Sequence, residues 1–266
     1  MELTVDGRAV FAHTGGQDFS TDKPALVFVH GGGNDQTFWG LQTRFFAHHG
    51  FSVLVPDLPG HGRSEGPAPE SIEDYATWLW AFVDAVGAEK VALVGHSMGS
   101  LIALAAAAAQ PDRMLALGLA GTSDHMQVHP DLLALSAADD PKAYELITDW
   151  GFGKAAHKGG HQSPGLWLRG GGRALLASGQ PGVLGTDMAA CNAWEGALAA
   201  AEHVSCPTLF LLAEADRMTP PRASKGLQAT IADAHVAILP GAGHMMTVER
   251  PNESIDVIYD FLKGAL

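Results

Sequence analysis

The run Val91-Ala92-Leu93-Val94-Gly95-His96-Ser97-Met98-Gly99 decides how the rest of the chain is arranged. Its first four residues are apolar and suit a buried strand, and the Ala-rich run Leu101 to Ala109 that follows suits a helix. Between them stands a serine with glycine two residues away on either side. That spacing marks the nucleophile elbow, a strand-to-helix turn too sharp for bulky side chains at the glycine positions. The serine is then held in a strained φ/ψ region that pushes its hydroxyl clear of the sheet. The same pentapeptide also suits an ordinary tight loop with an N-capping serine, so its meaning rests on what lies elsewhere in the chain.

Working outward, short apolar runs alternate with longer helical patterns, the signature of a parallel sheet covered by helices on both faces. Strands are expected at Ala25-His30, Ser52-Pro56, Val91-Gly95, Met114-Ala120, Thr208-Ala213 and His235-Leu239. Helices are expected near Gln36-His49, Ser71-Val86, Met98-Ala109, Arg222-Ala232 and Pro251-Lys263, and an N-terminal hairpin around Asp6-Gly7 joins Leu3-Val5 to Ala9-His13. The alternation stops between Thr122 and Ala201. That segment is helical at Leu132-Ala138 and Ala143-Trp150, is broken by Gly151, Gly153, Gly159, Gly160 and Gly170 to Gly172, and shows no strand pattern. Inserted between two core strands, it reads as a cap over their carboxyl ends, with Trp150, Trp167, Leu168 and Trp194 as its buried residues. The expected organisation is a core of residues 1–121 and 202–266 with a helical cap at 122–201.

A chain of 266 residues, 47% hydrophobic, suits one sizeable α/β core with a modest insertion rather than two unrelated domains. With 16 basic against 29 acidic residues and a net charge of -13, binding to nucleic acid or anionic lipid is disfavoured. Cys191 and Cys206 have no metal-ligand spacing and suggest no disulfide framework, so the chain reads as reduced. The N-terminal residues lack the features of a signal peptide and no apolar run is long enough to span a bilayer, so a cytoplasmic location is expected. No motif bears on oligomeric state.

A serine hydroxyl is a weak nucleophile at neutral pH and needs a base to take its proton and a third group to orient that base. Asp216 follows the apolar strand ending at Ala213, and His244 follows the strand ending at Leu239, so both fall at the same sheet edge as Ser97. Glu214 is the nearest rival for the acid, with Asp124 ranked below it. After the strand Leu26-Val29 comes His30-Gly31-Gly32-Gly33, where glycines let the backbone approach a reacting carbonyl. The amides of Gly32 and Met98 are the expected oxyanion hole, each donor contributing about 2.7–4 kcal/mol. Gly31, Gly33, Trp39 and Met245 are candidates for the substrate pocket, although Trp39 and the methionines equally suit ordinary core.

Two His-x-x-x-His pairs, His125/His129 and His157/His161, have a spacing that would suit a metal on a helix, but Pro130 and Gly159-Gly160 disrupt helices there and no metal is expected. His96 reads as a packed neighbour of the nucleophile, turned away from the pocket.

Together these motifs resemble the α/β-hydrolase superfamily. His30-Gly31-Gly32, Asp57-Leu58-Pro59-Gly60-His61-Gly62-Arg63-Ser64, Gly95-His96-Ser97-Met98-Gly99, Asp216 followed by Pro220, and Gly243-His244 are similar to its successive signatures, from about Val5 to Leu262. The resemblance implies the order Ser97, Asp216, His244 as catalytic triad, a structural role for Asp57 to Ser64, and a cap at the insertion. Relatives that break carbon-halogen bonds or open epoxides carry aspartate at the Ser97 position, so serine implies acyl chemistry without a cofactor. Ester hydrolysis of a small, largely apolar substrate is the default, with thioester, lactone or amide cleavage as alternatives. A carbon-carbon bond hydrolase of ring-cleavage products would be favoured by cap cations such as Arg169 and Arg173, and a non-catalytic binding member is the reading from a different class.

Overall fold

The computed structural model describes residues 1–161, 163 and 165–266. Its sheet has eight strands in the order β1-β2-β4-β3-β5-β6-β7-β8, antiparallel at β1, β2 and β4 and parallel from β4 to β8. β1 (Glu2–Val5) and β2 (Arg8–His13) form the expected hairpin, with Asp6 and Gly7 at φ 50° and 79° as a two-residue turn of matching twist requires. β3 (Ala25–Val29), α1 (Gly40–Ala47) and β4 (Ser52–Pro56) follow, and both strands are buried along their whole length. Such continuous burial is what a parallel sheet covered on both faces demands.

α2 (Ile72–Ala85) starts at Ser71, whose hydroxyl accepts the Asp74 N–H, and it buries Ile72, Tyr75, Leu79, Phe82 and Val83. β5 (Val91–His96) leads through Ser97 into α3 (Met98–Ala109), and β6 (Met114–Ala120) comes next. β7 (Thr208–Ala213), a short α9 (Lys225–Thr230), β8 (Ala234–Leu239), α10 (Met246–Glu249) and α11 (Pro251–Ala265) close the chain. α2 and α3 pack together on the sheet, and α1 packs with α11.

Between β6 and β7 lie α4 (Pro130–Ala137), α5 (Lys142–Gly151), α6 (Leu168–Ala177), α7 (Val183–Ala193) and α8 (Ala197–Ala201), with no strand among the described residues. α4 packs against α5 and α7, and α5 against α6, whereas α8 packs on α3 and α9 in the core. α6 runs straight through Gly170, Gly171 and Gly172, which the sequence suggested would interrupt a helix. The reason is packing: a β-carbon on Gly170 would lie 2.2 Å from the Trp167 ring, and one on Gly172 would lie 3.1 Å from Phe152. Pro130 likewise begins α4 instead of ending a helix, since the first turn needs no N–H from it.

The elbow is the tightest point of the fold. Ser97 sits at φ 54°, ψ −123°, and its N–H donates to the Ala120 carbonyl of β6. A β-carbon on Gly95 would lie 2.0 Å from the Gly99 carbonyl oxygen, and one on Gly99 would lie 2.3 Å from that of Val29 in β3. Neither atom can move without displacing α3 or β3. Gly99→Ala is therefore expected to destabilise the protein by about 1–3 kcal/mol or more, read as a lower denaturant midpoint, and an unchanged midpoint would contradict this packing.

Candidate functional site

All the candidate chemistry collects at the carboxyl ends of the parallel strands. Ser97 follows β5, Asp216 follows β7, His244 follows β8, and His30 to Gly33 follow β3. Asp216 is buried and its carboxylate is fully engaged. Oδ1 accepts the N–H groups of Met218 and Thr219, each at 2.8 Å, and Oδ2 faces His244 Nδ1 at 2.8 Å. Thr219 Oγ1 is 2.8 Å from the same Oδ2 and 3.0 Å from His244 Nδ1, so its hydroxyl braces both partners. Burial alone would raise the Asp216 carboxyl, but the charge and hydrogen bond of His244, with the Thr219 donors, hold it down at about 2. The carboxylate therefore stays ionised, and the proton it orders is on Nδ1, which leaves Nε2 as the ring atom able to accept one. His244 Nε2 is buried without a hydrogen-bond partner, and no hydrogen bond joins it to Ser97. Ser97 and His244 line one cavity of about 600 Å³.

The rivals fall elsewhere. Asp124 accepts the N–H groups of Gly226 and Leu227 at the start of α9, and Glu214 accepts that of Gly241. His96 stacks on Phe38 at 4.4 Å and its Nε2–H donates to the His244 carbonyl at 2.8 Å. It thus supports the His244 backbone and does not line the cavity, and burial holds its ring at about 3, neutral at ordinary pH. Cys191 does line the cavity, but burial pushes its thiol well above the ordinary range, so it offers no thiolate to compete with Ser97.

On the opposite side, the glycine turn is pressed against its neighbours. A β-carbon on Gly31 would lie 3.1 Å from Ser97 Cβ, and one on Gly32 would lie 2.7 Å from Met188 Cε. Among the described residues neither the Gly32 nor the Met98 N–H has an acceptor. The Gly33 N–H donates to Asp187 Oδ2 at 2.8 Å, and Gly33 contributes to a small recess beside His61. Trp39 is fully buried against Phe28 at 4.8 Å and lines no described cavity, while Met245 lines a separate one of about 250 Å³ with Phe38 and Leu176. Both belong to the packing behind the site, away from the Ser97 cavity.

Asp187, on α7, was not legible in the sequence. It is wholly buried, and besides Gly33 it faces His61 Nε2 at 2.8 Å and accepts the Tyr75 hydroxyl at 2.6 Å. His61 Nδ1 faces the Pro59 carbonyl at 3.0 Å, so both ring nitrogens address acceptors, as an imidazolium does. Burial lowers the His61 ring, but the Asp187 charge and hydrogen bond outweigh it and raise its pKa above the ordinary value. Glu249 is a second buried acid of this kind, accepting the N–H groups of Gly243 and Gly153, each at 2.9 Å. Gly121, at φ 58°, leaves room for the His244 ring, which a β-carbon there would meet at 3.0 Å. An acid in an alanine-rich helix gives no local signal for Asp187. The Asp-x-x-Thr spacing of Asp216 and Thr219, typical of side-chain-closed turns, could have found Thr219.

The histidine pairs considered for a metal are spread among other partners. His129 Nδ1 accepts the Asp131 N–H, while His157 and His161 address the carbonyls of Phe152 and Val248. No group of three metal-ligating side chains occurs among the described residues. Arg169 and Arg173 pair with Asp149 and Glu145 of α5, and neither lines the Ser97 cavity.

Residues 26–257 match the alpha/beta hydrolase family. The chain belongs to it. Over nearly its full length it is similar to a putative carbamate hydrolase of Caulobacter sp., at 26% identity covering 98% of this chain and 97% of that protein. It is likewise similar to a pimeloyl-[acyl-carrier protein] methyl ester esterase of Aromatoleum aromaticum, at 27% identity covering 91% and 100%. Other curated relatives match less of their own length, as with an uncharacterised Mycobacterium tuberculosis protein, 28% identical over 53% of this chain and 42% of that one. Among solved structures, the enol-lactonase of Burkholderia xenovorans superposes with a TM-score of 0.87 at 21% identity, covering 99% of this chain and all of that one. Among the described residues no helix is long and apolar enough to cross a membrane.

Two outcomes are expected from this buried chemistry. Asp187→Ala leaves the Gly33 N–H, the His61 cation and the Tyr75 hydroxyl without their acceptor, and should cost about 3–5 kcal/mol in a chemical unfolding experiment. Stability should also peak near the ordinary histidine pKa of about 6.5. Burial holds His30 at about 3, as it does His96, so both gain a proton only on unfolding and stability falls as pH drops from about 6.5. His61 acts oppositely: its contribution is complete below about 6.5 and is lost as pH rises through its raised value. Thermal melts across pH check this, and a stability that climbs steadily into the alkaline range would contradict the His61–Asp187 pair.

Proposed function

We infer that this protein is a serine hydrolase that cleaves a carboxylic ester of a small, largely apolar substrate through an acyl-enzyme. The observation that carries this reading is the buried Asp216–His244 pair, whose unpartnered Nε2 belongs to a ring lining the same cavity as Ser97. In this mechanism His244 Nε2 takes the Ser97 proton as Oγ attacks the acyl carbonyl. Asp216 keeps the imidazole in its Nδ1–H tautomer and stabilises the imidazolium. The amides of Gly32 and Met98, which lack acceptors among the described residues, hold the negative charge that develops on the carbonyl oxygen. His244 then gives its proton to the departing alcohol, and water activated by the same ring releases the acid.

Helices α4 to α7 act as the cap. They supply Met188, Cys191, Trp150 and Leu132 to the cavity wall, which supports a substrate with an apolar body. The family relationship and the ester-cleaving relative support the same reaction class. The carbon-carbon alternative loses its support in Arg169 and Arg173, whose charges are neutralised by α5.

Covalent labelling with a fluorophosphonate, together with a panel of p-nitrophenyl esters of increasing acyl length, tests the assignment. Ser97→Ala is expected to abolish labelling and turnover while leaving the melting profile intact. Asp216→Asn is expected to lower kcat on the order of 10³–10⁴-fold through loss of the correct tautomer. Retention of turnover by Ser97→Ala would reassign the nucleophile.

A further inference from the structure

The cavity over Ser97 is graded from a buried apolar floor to a polar rim. Met188, Cys191 and Leu132 are buried, whereas Gln127, His129 and Arg217 reach solvent. Among the described residues that line it, Arg217 alone is a lysine, arginine or carboxylate, and no acid faces it within the lining. Its guanidinium has no ion-pair or hydrogen-bond partner among the described residues. Arg44 and Arg222 are likewise without an ion pair among the described residues, but neither lines the cavity, whereas Arg63, Arg113, Arg169 and Arg173 are paired with Glu2, Asp84, Asp149 and Glu145.

The backbone beneath Arg217 is rigid. Asp216 Oδ1 holds the N–H groups of both Met218 and Thr219, so the Arg217 Cα is pinned one residue from the acid that orders His244. Only the side chain is free to adjust. A second donor stands at the same rim: His129 Nδ1 accepts the Asp131 N–H, which puts the ring proton on Nε2. In a protein of net charge -13, the entrance to the reactive serine thus carries the unpaired guanidinium of Arg217 and the imidazole of His129, whose Nδ1 also lies 3.8 Å from the Asp131 carboxylate. A guanidinium presents parallel N–H groups matched to a carboxylate. One guanidinium balances a single negative charge, which suits a carboxylate better than a phosphate dianion.

We propose that Arg217, assisted by His129, binds a carboxylate carried by the substrate at the rim of the Ser97 cavity, so that the preferred esters are half-esters of dicarboxylic acids. The apolar wall then accommodates the methylene chain between the bound carboxylate and the carbonyl that Ser97 attacks. This specificity rests on the serine hydrolase reading above.

The test compares monomethyl half-esters of dicarboxylic acids with chain-matched methyl esters of monocarboxylic acids, followed by acid release in a pH-stat. The wild-type protein is expected to favour the half-esters by about tenfold in kcat/KM, equivalent to one charge-assisted contact of about 1.4 kcal/mol. Arg217→Met should collapse that ratio, Arg217→Lys should restore part of it, and added salt should weaken it by raising KM for the half-esters. Fluorophosphonate labelling separates the two levels of the argument. Loss of Ser97-dependent labelling overturns the hydrolase reading and this inference with it. Intact labelling with no preference for half-esters, no turnover of them, or an equal fall in both series on Arg217→Met overturns the Arg217 assignment alone.

Discussion

Ser97 stays at positive φ because the backbone on both sides leaves it nowhere to relax. Gly95 lies against the Gly99 carbonyl, and Gly99 lies against the carbonyls of Val29 and His30 at the end of β3. The elbow is therefore wedged between α3 and the central sheet, and the glycine turn that begins at His30 is wedged against the elbow. Gly31 continues the contact, meeting the Ser97 β-carbon and the His96 ring. A single steric constraint thus fixes the distance between the serine and the strand whose loop supplies the Gly32 amide. Strain of this sort persists only where the surrounding structure over-determines it, and here the determining atoms are main-chain atoms at the start of α3 and the end of β3.

Around that wedge, buried acids act as fasteners. Asp216 ties the loop after β7 to His244, Asp187 ties α7 to the loops after β3 and β4, and Glu249 ties the Gly243 turn to Gly153 beyond α5. Each takes several donors, among them main-chain N–H groups that would otherwise be buried without a partner. The helices between β6 and β7 are thereby joined to both the glycine turn and the histidine loop. The chemistry of the site and the placement of those helices are consequently one structural problem. Asp187 bears on this most directly, since the Gly33 N–H that it holds adjoins the Gly32 peptide.

The electrostatics are layered in the same way. His30 and His96 are kept neutral by burial and serve as backbone props, whereas the Asp187 charge raises the pKa of His61. Among the described residues that line the cavity there is no carboxylate, although the protein is strongly acidic overall. Arg217 is the one lysine or arginine among the described residues lining the Ser97 cavity.

Much was legible from the chain alone because it depends on local sequence. The period of apolar residues marks the strands and core helices, and Asp6-Gly7 marks the hairpin. The glycine spacing around Ser97 marks a turn that other residues could not form. The residues after β5, β7 and β8 fall at one sheet edge by topology. What the chain could not reveal depends on contacts between distant segments. Gly170 and Gly172 stand within a helix where Trp167 and Phe152 occupy the space that side chains would have taken, a requirement set by contacts the local sequence does not show. Trp39 went to the core and not to the Ser97 cavity because Phe28 and His96 surround it. Asp187 and Glu249 gain their meaning from N–H groups up to 154 residues away. The sequence by itself determined the turns and the strand order of the reactive groups, because these follow from backbone sterics over a few residues. Only the tertiary structure decided which polar groups are buried together and which cation lines the Ser97 cavity, because those energies and neighbours exist only once distant segments have excluded water between them.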